Sequence, residues 1–272
     1  VGADLTSFTH DSPGLAEAYD RVSTLQFESG RRLVEHLGLQ EGARVLDIGC
    51  GTGRLTHWIA ERVGTNGAVT GIDPIEERIQ VARSHERAVR FEVGRAEDLG
   101  AFEDQTIDAV CMSSVFHWVA EKTTALAEIR RVLRPGGRLG VTTSPHELAR
   151  AGTLRRILDP LLARAPYAGR VDPSMLTFAK RGCTTTDLVS LVLESRLELV
   201  ELHVTRQTQT QPSGEALVAF IEASAFGTFL RPIPEDLRAP LRADLVAAFD
   251  AQRGPDGVAL SSWGVLFIAT RA

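Results

Sequence analysis

Strands alternating with helices from residue 43 to 142, a glycine cluster closing the first strand, and acidic residues at successive strand ends predict a doubly wound α/β fold. Apolar residues spaced over 13–37, among them Leu15, Tyr19, Val22, Phe27, Leu33 and Leu37, share one helical face. Residues 43–48 read as a short buried strand that runs into the glycines. A helix over 55–63 and a strand over 68–72 follow, then a helix over 75–85 and a strand over 89–93. The next unit is a strand at 107–112, a helix at 123–133 and a strand at 138–142. Arg134-Pro135-Gly136-Gly137 separates the last two, because proline cannot continue a helix and glycine accepts a positive φ. Parallel strands joined in this way need right-handed crossovers.

After Pro145 the rhythm breaks. Helical patterns at 147–164, 186–195, 215–225 and 235–252 surround two late strands, at 197–208 and 264–270. No linker-like run or internal repeat divides the chain, so residues 1–272 are expected to form a single domain. Its core is about 40–146 plus the two late strands. Cap helices drawn from 13–37, 147–195 and 212–252 are expected over the strand ends.

The hydrophobic share of 43% and charged share of 24% match a chain with a sizeable core, which excludes disordered, collagen-like and coiled-coil readings. Thirty basic against 35 acidic residues leave a net charge of −5, so no global positive field is available to attract nucleic acid. Cys50, Cys111 and Cys183 are too scattered for a disulfide framework or a structural zinc site, and they read as small buried residues. His10, His36, His57, His85, His146 and His203 show no ligand spacing, so no metal is expected. The first residues lack a secretion signal and no apolar run suits a membrane span, so the expected location is cytoplasmic.

The chemistry is concentrated in Val45-Leu46-Asp47-Ile48-Gly49-Cys50-Gly51-Thr52-Gly53, where a buried strand meets a glycine loop and a helix begins beyond. Arg54 stands where the dinucleotide fingerprint GxGxxG needs its third glycine, which argues against a nicotinamide oxidoreductase. Asp47, just before that loop, would repel a diphosphate but suits a cation such as S-adenosylmethionine (SAM), with its ammonium and sulfonium. Asp73, twenty residues past Gly53 and followed by Pro74, occupies the strand end where an acid meets a ribose diol. Gly94-Arg95-Ala96-Glu97-Asp98-Leu99 follows the next strand and is placed to close over an adenine.

In order, VLDIGCGTG, GIDP, RAEDLG and LRPGGRLGV resemble the class I SAM-dependent methyltransferases over residues 43–143. The resemblance implies a Rossmann-like, seven-stranded, mostly parallel sheet with a reversed last strand. It places Asp47, Gly49 and Gly51 near the methionine moiety, Asp73 at the ribose, and Ala96 and Glu97 near the adenine, with Cys50, Gly53 and Pro74 also among the expected cofactor-binding residues. Arg95 departs from the Asp or Asn frequent in the family, which passes the adenine amino contact to Glu97, Asp98 or backbone groups. Ser113 at the end of the fourth strand and Tyr19 in the N-terminal helix complete the expected cofactor set.

Ser113-Ser114-Val115-Phe116-His117-Trp118-Val119 leaves the carboxyl edge of the sheet, where α/β enzymes place substrate. The pair His117-Trp118 resembles the Gln-Trp or His-Trp pair of small-molecule carboxyl methyltransferases of the trans-aconitate and juvenile hormone acid type. There the pair helps hold a substrate carboxylate; here His117 replaces the glutamine of the trans-aconitate type. Two ring N–H groups suit an anionic oxygen. Alternatively His117 acts as general base toward a phenol or alcohol. The expected activity is methyl transfer from SAM to an oxygen of a small molecule, with S-adenosylhomocysteine (SAH) as coproduct. The alternatives are a C- or N-methyltransferase, or a non-methyl step such as cyclisation on the same fold. In the cap, Leu176, Phe178, Phe220, Phe226, Phe229 and Leu230 either line an apolar pocket or pack as helix core.

Overall fold

A computed structural model describes residues 24–84, 89–149, 151–173, 182–224 and 229–272, and the chain divides into two compact units. The first takes in 23–145, 181–205 and 264–272. Within it, α1 (Thr24–Leu37) precedes β1 (Arg44–Ile48), α2 (Arg54–Val63), β2 (Ala68–Asp73), α3 (Glu76–Ser84) and β3 (Arg90–Val93). Then come β4 (Ile107–Ser113), a 3-10 turn over Phe116–Trp118, α4 (Lys122–Val132) and β5 (Leu133–Thr143). The helices α5 (His146–Ala149), α6 (Thr153–Leu162) and α7 (Thr185–Glu194) lead to β6 (Leu197–Gln211), α8 (Gly214–Ser224), α9 (Glu235–Asp250) and β7 (Val258–Arg271).

The sheet has seven strands in the order β3-β2-β1-β4-β5-β7-β6, and β7 runs antiparallel to β5 while β1 to β5 pair in parallel. This is the Rossmann-like arrangement with a reversed last strand that the sequence resemblance implied. Four of the five β1 residues and five of the seven in β4 are buried, as expected for central strands covered on both faces.

Three segments differ from the sequence expectation. The Arg-Pro-Gly-Gly stretch is not a free turn but a bulge inside β5. Leu133 pairs with Ile107, pairing resumes at Arg138 with Ala109, and the Arg134 Nε donates to Asp108 between them. The helix expected over 147–164 is broken, with Gly152 in extended geometry capping α6. The third difference concerns the cap. The described part of the first helix, α1, packs in the first unit, where Leu33, Val34 and Leu37 join Val45, Ile59 and Cys111 in one apolar cluster. Helix α7 is likewise in that unit, against α4, and opens on a capping box of Thr184 and Asp187.

The second unit includes the described residues of 146–180 and 206–263. Leu158, Leu217, Leu241, Leu245 and Phe249 make a closed helical core with Tyr167, whose hydroxyl donates to Asp244 at 2.8 Å. Burial pushes that phenol up to about 12, so it stays a neutral donor. Phe220 and Phe229 are buried in this cluster and Leu230 packs on it, so these three are core. Leu176, Phe178 and Phe226 lie outside the described residues. Among the described residues no helix is long and apolar enough to cross a membrane.

Candidate active site

The carboxyl ends of β1 and β2 bring two carboxylates together. Asp47 is 1% exposed and accepts a hydrogen bond of 2.7 Å from Thr56 Oγ1 in the first turn of α2. Burial raises its carboxyl to about 7, against the lowering effect of Thr56, and the nearby Asp73 charge adds to the rise. Asp73, also buried, accepts from the Gly51 amide through one oxygen and from the Ile75 amide through the other, each at 3.0 Å. The loop between them is pinned: the Gly49 and Cys50 amides both donate to Ile72 O, at 2.7 and 3.0 Å. Asp73 therefore shapes the glycine loop directly. Pro74 is half-buried behind it and carries the chain into α3.

Gly49 and Gly51 hold φ of 74° and 56°, a region that suits glycine. Their surroundings differ. A Cβ on Gly49 would lie 2.2 Å from Val115 Cγ2, inside the van der Waals envelope of that side chain. A Cβ on Gly51 would meet, among the described residues, only Arg78 Nη1 at 3.8 Å. Gly53 caps α2, and Arg54 after it sets its guanidinium 4.2 Å from the centre of the Phe27 ring on α1. Burial pushes the Cys50 and Cys111 thiols well above their usual range, so both are inert packing groups.

The loop after β3 is held from behind. Arg131 on α4 donates to Leu99 O and Phe102 O, while Glu128 accepts the Leu99 amide at 3.0 Å and pairs with Arg131. Ala96 is buried inside this loop. Glu97 turns back on the polypeptide: one of its oxygens accepts the amides of Ala120 and Glu121, at 3.0 and 3.4 Å. That contact ties the loop after β3 to the segment following the 3-10 turn.

At the end of β4, Ser113 Oγ lies 3.4 Å from Thr142 Oγ1, and the Ser114 amide donates to Thr142 at 3.0 Å. The chain then turns at Ser114, with φ 60°, into the short helix. Phe116 is its buried anchor, edge-on to Phe267, while His117 and Trp118 are half-buried with ring centres 5.4 Å apart. His117 Nδ1 lies 3.1 Å from Thr143 Oγ1. Sequence reasoning missed Thr56 and Thr143. Thr56 is the third residue of α2, and Thr143 follows the residue that pairs with Ser113. Tyr19 lies outside the described residues.

Residues 46–141 match the family model described as Methyltransferase domain, a span from β1 to β5 that includes the loops just described but neither Thr142 nor Thr143. Residues 46–141 of this chain thus carry a methyltransferase domain. An uncharacterized methyltransferase of Mycobacterium tuberculosis is 40% identical over 114 residues, 42% of this chain and 44% of that protein. A malonyl-acyl-carrier-protein O-methyltransferase of Erwinia pyrifoliae is 36% identical over 129 residues, 47% of each. A demethylmenaquinone methyltransferase of Staphylococcus aureus is 34% identical over 131 residues, 45% of this chain and 54% of that one. The chain thus spans about half the length of the curated relatives it matches. Among solved structures, geranyl diphosphate C-methyltransferase from Streptomyces coelicolor superposes with a TM-score of 0.55 at 17% identity, covering 93% of this chain and 80% of its own. At that identity the likeness speaks for the fold of the methyltransferase domain.

Proposed function

We propose that the protein transfers a methyl group from SAM to an oxygen of a small organic molecule, a carboxylate ahead of a phenol or alcohol. The observation that supports the reading most is the pairing of a cation-suited acid, Asp47, with a glycine loop whose Gly51 leaves room in front of it. The residues present fit SAM. Asp73, at the carboxyl end of β2, is the carboxylate placed to accept a ribose diol. Asp47 and the loop backbone suit the methionine end, and Ala96 within the loop braced by Arg131 suits the flat adenine. Glu97, engaged by Ala120, acts in this reading by shaping that loop. Cys50, Gly53, Pro74 and Ser113 frame the same edge of the sheet, and Tyr19 keeps its proposed place above the cofactor. Substrate choice is assigned in this reading to the helices outside the matched methyltransferase domain.

SAM supplies an activated methyl on a sulfonium leaving group, so the protein's task is alignment and water exclusion. His117 can serve either acceptor because Thr143 can act both ways. If Thr143 donates to Nδ1, the ring carries its proton on Nε2 and orients an anionic oxygen together with the Trp118 indole N–H. If the ring donates to Thr143 from Nδ1, Nε2 holds the lone pair that takes a hydroxyl proton. Of the named relatives, one methylates oxygen by its name, which supports the oxygen reading.

Incubation with isotopically labelled SAM and a panel of carboxylic acids and phenols, read by product mass, tests the proposal; a substrate converted without gaining the methyl mass, with SAM left intact, would point to the non-methyl alternative. His117→Ala is expected to lower kcat at least tenfold with SAH affinity unchanged. An unchanged kcat on a good substrate would remove His117 from the reaction. Asp73→Ala is expected to weaken SAH binding by about 2 kcal/mol, roughly 30-fold. It should also lower the Tm, because the Gly51 and Ile75 amides lose their acceptor. Parental affinity in calorimetry would refute the ribose assignment.

A further inference from the structure

Three side chains far from the glycine loop, and far apart in sequence, meet within the first unit. His36 lies in the last turn of α1, and Glu201 and His203 are two apart on β6, hence on one face of that strand. His36 Nδ1 is 2.6 Å and His203 Nε2 3.2 Å from the same oxygen, Glu201 Oε2, and the two rings are centred 4.9 Å apart. All three candidate donor atoms fall within 4.8 Å of one another.

We infer that His36, Glu201 and His203 form a binding site for a divalent metal ion of the zinc class. Two imidazoles and a carboxylate are a donor set suited to zinc, nickel or copper rather than to magnesium or calcium, which take oxygen. Donors about 2.1 Å from one ion stand at most about 4.2 Å apart. The present spacing of up to 4.8 Å closes by small rotations of side chains that are 30–46% exposed. The end of α1 presents its carbonyls, the negative end of the helix dipole, beside His36, which favours a cation there. The Arg138 guanidinium, 3.6 Å from the other Glu201 oxygen, holds that oxygen away and orients Oε2 toward the imidazoles. It also adds a positive charge, so micromolar rather than tighter binding is expected. The ion would tie α1 to β6 across a sequence separation of 165 residues and keep coordination positions for water.

Calorimetric titration of the metal-stripped full chain with zinc chloride at pH 7.5 tests this, with magnesium chloride as the control. One zinc per chain with a Kd below ~100 μM, weakened at least tenfold in both His36→Ala and His203→Ala, is the expected result. Weaker binding by the parent, or affinity unchanged in either variant, would overturn the site. His203 is the more exposed of the two, so its variant should keep the parental circular dichroism. Should His36→Ala fail to fold, histidine ring 15N shifts of the parent decide: zinc must move the signals of His36 and His203 together, and signals that stay in place overturn the proposal.

Discussion

Asp47→Asn is expected to make the protein more stable at pH 8 and to remove about 2 kcal/mol of stability loss between pH 5.5 and 8. Burial raises the Asp47 carboxyl to about 7, above the 3.8 of an unperturbed aspartate. Between those two values the folded chain holds a proton that the unfolded chain has released. Stability therefore falls as pH rises through that window, and the contribution is fully present only below the unfolded value. Over the whole window the effect is about 4 kcal/mol, and the part above pH 5.5 is about 2 kcal/mol. The carboxyls of Glu128 and Glu201 shift the other way, held down chiefly by Arg131 and His36 respectively, so their contribution is lost on acidification. They have largely finished titrating in both states above pH 5.5, so they add little to the upper window. Asparagine keeps an oxygen for the Thr56 hydroxyl, so the packing is retained. Urea unfolding of parent and variant at a series of pH values gives the difference curve; parallel curves would mean that Asp47 does not carry a raised pKa.

The same group connects stability to the proposed cofactor. A sulfonium or ammonium near Asp47 favours the ionised carboxylate that the empty fold disfavours. SAM binding by the parent at pH 6.5 is then expected to release up to about 0.8 of a proton from this group, which Asp47→Asn lacks. Calorimetry in buffers of different ionisation enthalpy reads that number directly. Proton uptake, or none, in the parent would place the cation away from Asp47.

How much of this was legible in the chain depended on how local the determinant is. The strands ending at Ile48 and Asp73 and the turn at Gly49 and Gly51 are each written in a few consecutive residues, and they stand where the sequence pattern put them. The apolar stripe of α1 was equally legible as a stripe, yet periodicity says only that Leu33 and Leu37 are buried, not against what. The helix was accordingly expected in the cap and is found in the first unit, and α7 followed the same course. The partners of the site side chains were hidden for a related reason. Thr143 reaches His117 only because β4 and β5 pair in register, and His36 meets Glu201 only because the chain returns to form β6. A spacing rule for metal ligands looks along the chain and passes over a cluster assembled across the fold. Glu97 shows the converse: its position at a strand end suggested a ligand contact, and the amides of Ala120 and Glu121 claim one of its oxygens.

Gly49→Ala is expected to cost about 3–4 kcal/mol of stability, and the loss has two separable parts. One is conformational: at φ 74° an L-residue is strained by roughly 1–3 kcal/mol. The other is steric, because the new methyl would lie 2.2 and 2.8 Å from the two Cγ atoms of Val115 and 3.0 Å from its Cβ. Overpacking on that scale adds roughly 1–3 kcal/mol. Val115 immediately precedes the turn that carries His117 and Trp118, so relief of the clash must come from moving the residues proposed to hold substrate. Truncation to Val115→Ala removes both Cγ contacts and leaves the backbone strain. In a double-mutant cycle the combined Gly49→Ala/Val115→Ala chain should recover at least about 1 kcal/mol relative to the sum of the single changes. It should also regain part of the turnover lost by Gly49→Ala. A strictly additive cycle would assign the whole effect to the backbone and would separate the glycine loop from the His117 turn. Coupling of the expected sign makes Gly49 the place where the cofactor loop and the substrate loop are set against each other, with no room for a side chain between them.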